Sequence, residues 1–161
     1  MNWRPVVLAA AVAAGLGAGP ARAQSKDDRE LLSYVLTMDK VQRLSNAAKG
    51  LHELEKRHPE MASEHAGNQS IDAMVRNLQR YPDAVAVLNR NGIPPREYAV
   101  GFLTLIQSTM AVGLKRAGTF PSYPPELAAM VSKTNLAFVE QHYAEIKKLL
   151  PDWSSEPDET R

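Results

Sequence analysis

The sequence predicts an all-α fold, a single domain built as an irregular bundle of four to five helices. Apolar residues recur at intervals of three and four along several stretches, the period of one helix face. Ser, Thr, Pro and Gly stand where these stretches begin and end, and no run alternates apolar and polar residues as a half-buried strand would. The chain has no cysteine, so packing alone has to hold it together.

The first residues read as an address rather than as part of the bundle. "MNWR" is a short basic start, and "PVVLAAAVAAGLG" is an apolar run too short to cross a bilayer comfortably. Ala21–Ala23 ("ARA") has the small-x-small pattern of a signal-peptidase site. Residues 1–23 are therefore expected to be a signal peptide. The mature chain is expected to start at Gln24 and to be exported to the periplasm or the cell exterior. A single Arg in the basic start gives no twin-arginine signal, and without cysteine there is no lipoprotein anchor. Removing these 23 of 161 residues takes away Arg4 and Arg22, so 17 basic and 18 acidic residues remain and the net charge moves from +1 to −1. Basic residues scattered singly or in pairs such as Lys147-Lys148 offer no footprint for nucleic acid. The remaining length is ample for one packed domain.

Residues 24–36 form an N-terminal segment in which "DDRELLSYVL" either extends the first helix or stands apart from it. Thr37 is an N-cap candidate, with Asp39 in the first turn where the helix dipole favours an anion. Val41, Leu44, Ala48 and Leu51 make the buried stripe of a helix to about Arg57. His58-Pro59 ends it, because a residue before proline is driven out of the helical region. After the polar connection "MASEHAGNQS", Ser70 caps a helix over Ile71–Arg80 with Met74, Val75 and Leu78 inward. Pro82 opens a short helix, which Asn91-Gly92 closes through the left-handed conformation that Gly92 can adopt. Pro94-Pro95 opens the next, running to about Ala117 before Gly118, and Pro124-Pro125-Glu126 opens a final long helix reaching Leu150. The helical domain thus spans 37–150, and the polar, proline-containing residues 151–161 are expected to be a flexible tail.

Between Glu97 and Lys115 the central helix carries no charge. From Tyr98 to Leu114 it is roughly 25 Å long at ~1.5 Å per residue, short of a hydrocarbon core near ~30 Å. Glu97, Gly101, Thr104, Ser108, Ala111 and Lys115 fall on one narrow stripe, with Tyr98, Phe102, Leu105, Thr109 and Gly113 on the other side. Such segregation suits the core of a bundle better than a lipid-facing anchor.

The last helix carries the constellation most suggestive of a site. Leu127, Val131, Phe138, Ile146 and Leu149 form its apolar stripe, and Asn135 and His142 fall in the middle of it, two turns apart and flanking Phe138. A buried amide or imidazole has to find a partner. Gln107 is within reach if the central and last helices pack together. Two roles stay open. Asn135 and His142 bond to exposed backbone at neighbouring helix ends and fix the packing register, or Gln107, Asn135, Phe138 and His142 line a cavity for a small ligand.

Other chemistries are less well supported. His52, Glu55 and His58 lie three apart, and Glu60, Glu64 and His65 follow, a composition that invites a metal. Steps of three drift around a helix and no Cys contributes, so the set reads as solvated surface and no metal site is assigned. Haem attached through cysteine is impossible, while the residue types permit non-covalent ligation by His142 or a methionine. No cofactor is assigned. There is no nucleophile elbow, no cysteine and no glycine-rich turn between a strand and a helix, and no catalytic residue is assigned.

The stretches "LTMDKVQRL", "YPDAVAVLNRNGIPPREYAVGFLTLIQSTMAVGL" and "NLAFVEQHYAEIKKL" resemble a family of small exported bacterial all-helical proteins. The resemblance runs over Leu36–Leu149. It implies an extracytoplasmic bacterial setting, and since no established activity attaches to these motifs it transfers no functional residue. The expectation is an exported, soluble, non-catalytic binding or interaction protein of the cell envelope, its partner an envelope protein or a small molecule. The alternative is an envelope enzyme or a small-molecule binder, haem or metal included, centred on His142 with Asn135 and Gln107.

Overall fold

The computed structural model describes residues 25–61, 70–119 and 121–150. The expected signal peptide, the expected tail, and Glu64 and His65 lie outside the described residues. Within them the chain forms α1 (Lys26–Ser33), α2 (Met38–Arg57), α3 (Ile71–Arg80), α4 (Pro82–Arg90), α5 (Pro95–Arg116), α6 (Pro125–Met130) and α7 (Lys133–Leu149), with no strand.

Most helix starts have a visible chemical cause. Ser25 and Asp28 form a reciprocal capping box at α1: the Asp28 amide donates to Ser25 Oγ and the Ser25 amide to Asp28 Oδ2. The hydroxyls of Thr37, Ser70 and Ser132 accept from the amides of Lys40, Ala73 and Asn135 at the starts of α2, α3 and α7. Prolines at the first helical position open α4, α5 and α6, where a missing N–H costs nothing. Gly92 (φ 65°) closes the turn after α4, and Gly118 (φ 76°) the one after α5.

The all-α expectation holds, but among the described residues four to five helices become seven, for two local reasons. The N-terminal segment has its own helix, after which Tyr34 (ψ 126°) and Thr37 (ψ 160°) are extended. The expected final helix is broken at Val131 (φ −129°, ψ 131°) and Ser132, because the Ser132 hydroxyl caps a new start while Val131 turns into the core. Leu127 and Val131 therefore do not belong to the stripe of α7, whose buried members are Asn135, Leu136, Val139 and Ile146.

Helix α5 is the hub. It packs most extensively on α7 and α3 and also touches α1, α2 and α4. Small residues let the neighbours come close: a Cβ at Gly101 would lie 2.8 Å from the Tyr34 hydroxyl, and one at Gly113 would lie 2.9 Å from the Tyr143 hydroxyl. Thr104 and Ser108 are buried, and their hydroxyls donate back to the carbonyls of Val100 and Thr104 one turn earlier. Tyr98, Leu105 and Val112 are buried as well, so α5 is covered on more than one side, as befits a helix with apolar residues around most of its circumference. No described helix is long and apolar enough to cross a membrane.

Polar clamps fix the remaining helices to this hub. Arg96 of α5 makes a two-pronged contact with Glu30 of α1 (3.0 and 2.7 Å) and a third bond to Asp72 of α3 (2.7 Å). Asp27 of α1 accepts from the Ile71 amide and so supplies an anion to the first turn of α3. At the other end Glu140 of α7 accepts from Lys115 (2.5 Å) and from the Tyr123 hydroxyl (2.6 Å). The Ser45 hydroxyl donates to the Leu149 carbonyl, tying the end of α7 to α2.

Candidate functional site

The four residues singled out from the sequence receive separate tasks. Asn135 is fully buried, at 0% exposure. Its Oδ1 accepts from the Leu36 amide (3.0 Å) and its Nδ2 donates to the Tyr34 carbonyl (2.7 Å), so its amide group takes the place of a missing backbone partner for the extended link between α1 and α2. Lys40 Nζ serves the Val35 carbonyl in the same link. His142 is partly exposed, with Nδ1 3.7 Å from a Glu145 carboxylate oxygen. Its ring lies 4.9 Å from that of Phe138, which packs on the main core. Gln107 Oε1 is buried and accepts no hydrogen bond from the described residues.

A cavity of about 210 Å³ lies elsewhere, between α2, α3 and α5. Four residues at consecutive turns of α2, Ala48, Leu51, His52 and Glu55, form one side. Met74 and Leu78, one turn apart on α3, face them, and Tyr98 and Phe102, one turn apart on α5, complete the wall with Met61. The two rings of α5 are stacked, their centres 5.3 Å apart and their planes 13° from parallel. None of Gln107, Asn135, Phe138 and His142 lines this cavity.

The chemistry of the wall is lopsided. Aliphatic, thioether and aromatic groups make up most of it, and the polar edge consists of His52 and Glu55, with Nδ1 and Oε2 3.9 Å apart. The Tyr98 hydroxyl is pushed above the ordinary tyrosine range, first by burial and then by the Glu55 carboxylate. Such a wall can bind an apolar body by contact and a polar group at one end. Among the described lining residues there is no Ser, Thr or Cys. The metal-type composition noted in the sequence separates into pairs, His52 with Glu55 and His58 with Glu60. Among the described residues no three His, Asp or Glu side chains gather as a metal-binding group.

Sequence reasoning placed Ala48, Leu51, Met74 and Leu78 on apolar helix faces, and Tyr98 and Phe102 on the central helix opposite its stripe of small residues, and assigned none of them to a site. The usable signal was the pair His52 and Glu55 next to Ala48 and Leu51, polar groups bordering a stripe that two other helices, one of them carrying Met74, have to meet. Fold and cavity together define the class: an all-helical domain with a small apolar pocket and an acidic edge. Comparison with protein-family models, with curated proteins and with solved structures finds no match to this chain.

Proposed function

We propose that the chain is an exported, non-catalytic binding protein of a bacterial cell envelope that takes one small, mainly apolar molecule into the pocket between α2, α3 and α5. The observation that carries this reading is a cavity of about 210 Å³ with an apolar wall and a polar edge. A dry apolar cavity of about 150 Å³ is enough to hold benzene. The signal-like residues 1–23 support export, and the mainly apolar wall supports binding by contact.

The methionines provide a direct test. Met61 and Met74 line the pocket, whereas Met110 and Met130 are 59% and 51% exposed and serve as internal controls. With the Met methyl groups labelled with carbon-13, titration with toluene should shift the Met61 and Met74 signals and leave Met110 and Met130 in place. Ala48→Leu, which puts three more carbons into the pocket, should abolish the response. Uniform shifts of all four, or none, would remove the pocket from the account, and recovery of the host protein in the cytoplasm with residues 1–23 still attached would remove export.

A further inference from the structure

We propose that the preferred occupant is a small primary amine with an apolar body about the size of one aromatic ring, its ammonium group held at the pocket edge by Glu55. This rests on the pocket being a ligand site and adds the class of ligand.

The charge at the pocket edge favours a cation. Glu30, Glu53 and Glu140 each meet an Arg or Lys within 2.7 Å. Glu55 meets neither among the described residues; its ion partner there is His52 at 3.9 Å, beyond hydrogen-bond distance. Among the described lining residues Glu55 is the one carboxylate. A carboxylate at the edge of an apolar cavity favours a cation over a neutral group and strongly disfavours an anion.

The wall beside it suits the same group. Tyr98 and Phe102 are stacked, and aromatic faces attract an ammonium group within about 6 Å of a ring centre. Glu55 and Tyr98 line the same cavity, so carboxylate and ring act on the same region. Met61 and Met74 supply polarizable, adaptable surface for the rest of the ligand. The size fits as well: about 210 Å³ exceeds what benzene needs by enough for a short arm that reaches the edge.

Three probes with nearly the same body separate the possibilities: 2-phenylethylamine, 2-phenylethanol and phenylacetate, each titrated into the mature chain at neutral pH and followed through the Met61 and Met74 methyl signals. The amine should bind about tenfold or more tightly than the alcohol, as expected for a hydrogen bond to a charged group, and phenylacetate should bind weakest. Glu55→Gln should bring the amine down to the affinity of the alcohol and leave the alcohol unchanged. Unchanged methyl positions in the ligand-free variant show that it is folded.

Equal binding of amine and alcohol, or tightest binding of phenylacetate, would overturn the amine proposal while leaving the pocket as a ligand site. An amine preference that survives Glu55→Gln would overturn the role given to Glu55. Failure of all three probes in a folded protein would overturn both the amine proposal and the ligand-site reading beneath it.

Discussion

Replacing Asn135 with alanine should destabilise the protein more than any change of a surface polar group, and the structure says by how much. The side chain is wholly buried, and each end of its amide bonds to the backbone of the link between α1 and α2. Alanine removes both bonds at once, leaving the Leu36 amide and the Tyr34 carbonyl without these partners. A buried polar group left unpaired costs about 1–3 kcal/mol, so the pair gives about 2–6 kcal/mol, with entry of a water holding the loss near the lower half of that range. Against a total stability of about 5–15 kcal/mol such a loss is large. For a slope near 1.5 kcal/mol per molar urea, a loss of about 3 kcal/mol moves the unfolding midpoint down by about 2 M. Hydrogen exchange locates the effect, because the Leu36 amide should be protected in the wild type and exchange much faster in Asn135→Ala. A midpoint within about 0.3 M of wild type, together with a Leu36 amide still protected, would show that Asn135 does not hold the link.

Three further outcomes follow from the clamps and the close approaches. Glu30 and Asp72 are held below the ordinary carboxylate range chiefly by their hydrogen bonds to Arg96, so that contribution is present at neutral pH and lost as pH falls below about 4. Arg96→Met should therefore lower Tm at pH 7 and flatten the fall in Tm on acidification, and parallel curves for the two proteins would refute it. Burial, with the Glu97 carboxylate second, pushes the Tyr34 hydroxyl up to about 12, so its contribution is intact below the unfolded value of 10.0 and is lost as pH rises towards 12. In an ultraviolet titration of the tyrosines, Tyr34→Phe should delete a late-ionising component; loss of an early one would contradict the structure. Gly101→Ala should destabilise by about 1–3 kcal/mol through overpacking against Tyr34 and Leu44, although alanine is the better helix former by about 1 kcal/mol, and a rise in the urea midpoint would refute the close contact.

Much of the fold was legible because it rests on local chemistry. Thr37, Ser70, the prolines at 82 and 95, and the glycines at 92 and 118 act within a turn of their own positions, and the structure puts helix boundaries at each. Ser132 was as visible as Ser70, yet the apolar period running on from Leu127 through Val131 concealed the break. Periodicity alone does not distinguish one helix from two that happen to be nearly in phase. The separate α1 was harder to read, because what holds the following link extended is Asn135, 99 residues from Leu36 in sequence.

The same contrast explains why the candidate site moved. Asn135 drew attention because a buried amide needs a partner, and that logic was sound, but it does not specify whether the partner is a ligand or the chain itself. The pocket has the opposite character: nearly every residue around it looks like ordinary core, and a void depends on how far apart three helices are held. Helix α5 brings the two regimes together. Along Gly101, Thr104 and Ser108 it offers small groups that let neighbours close in, with Tyr34 seated against Gly101 and its carbonyl pinned by Asn135. Along Tyr98 and Phe102 it offers bulky rings to Ala48 and to the flexible Met61 and Met74, groups that fill space less completely. If the proposed pocket binds its ligand, stability and ligand capacity reside on different sides of one helix and should respond to different mutations. Asn135→Ala should weaken the fold while the folded fraction still binds toluene, and Ala48→Leu should end binding in a protein whose Leu36 amide stays protected.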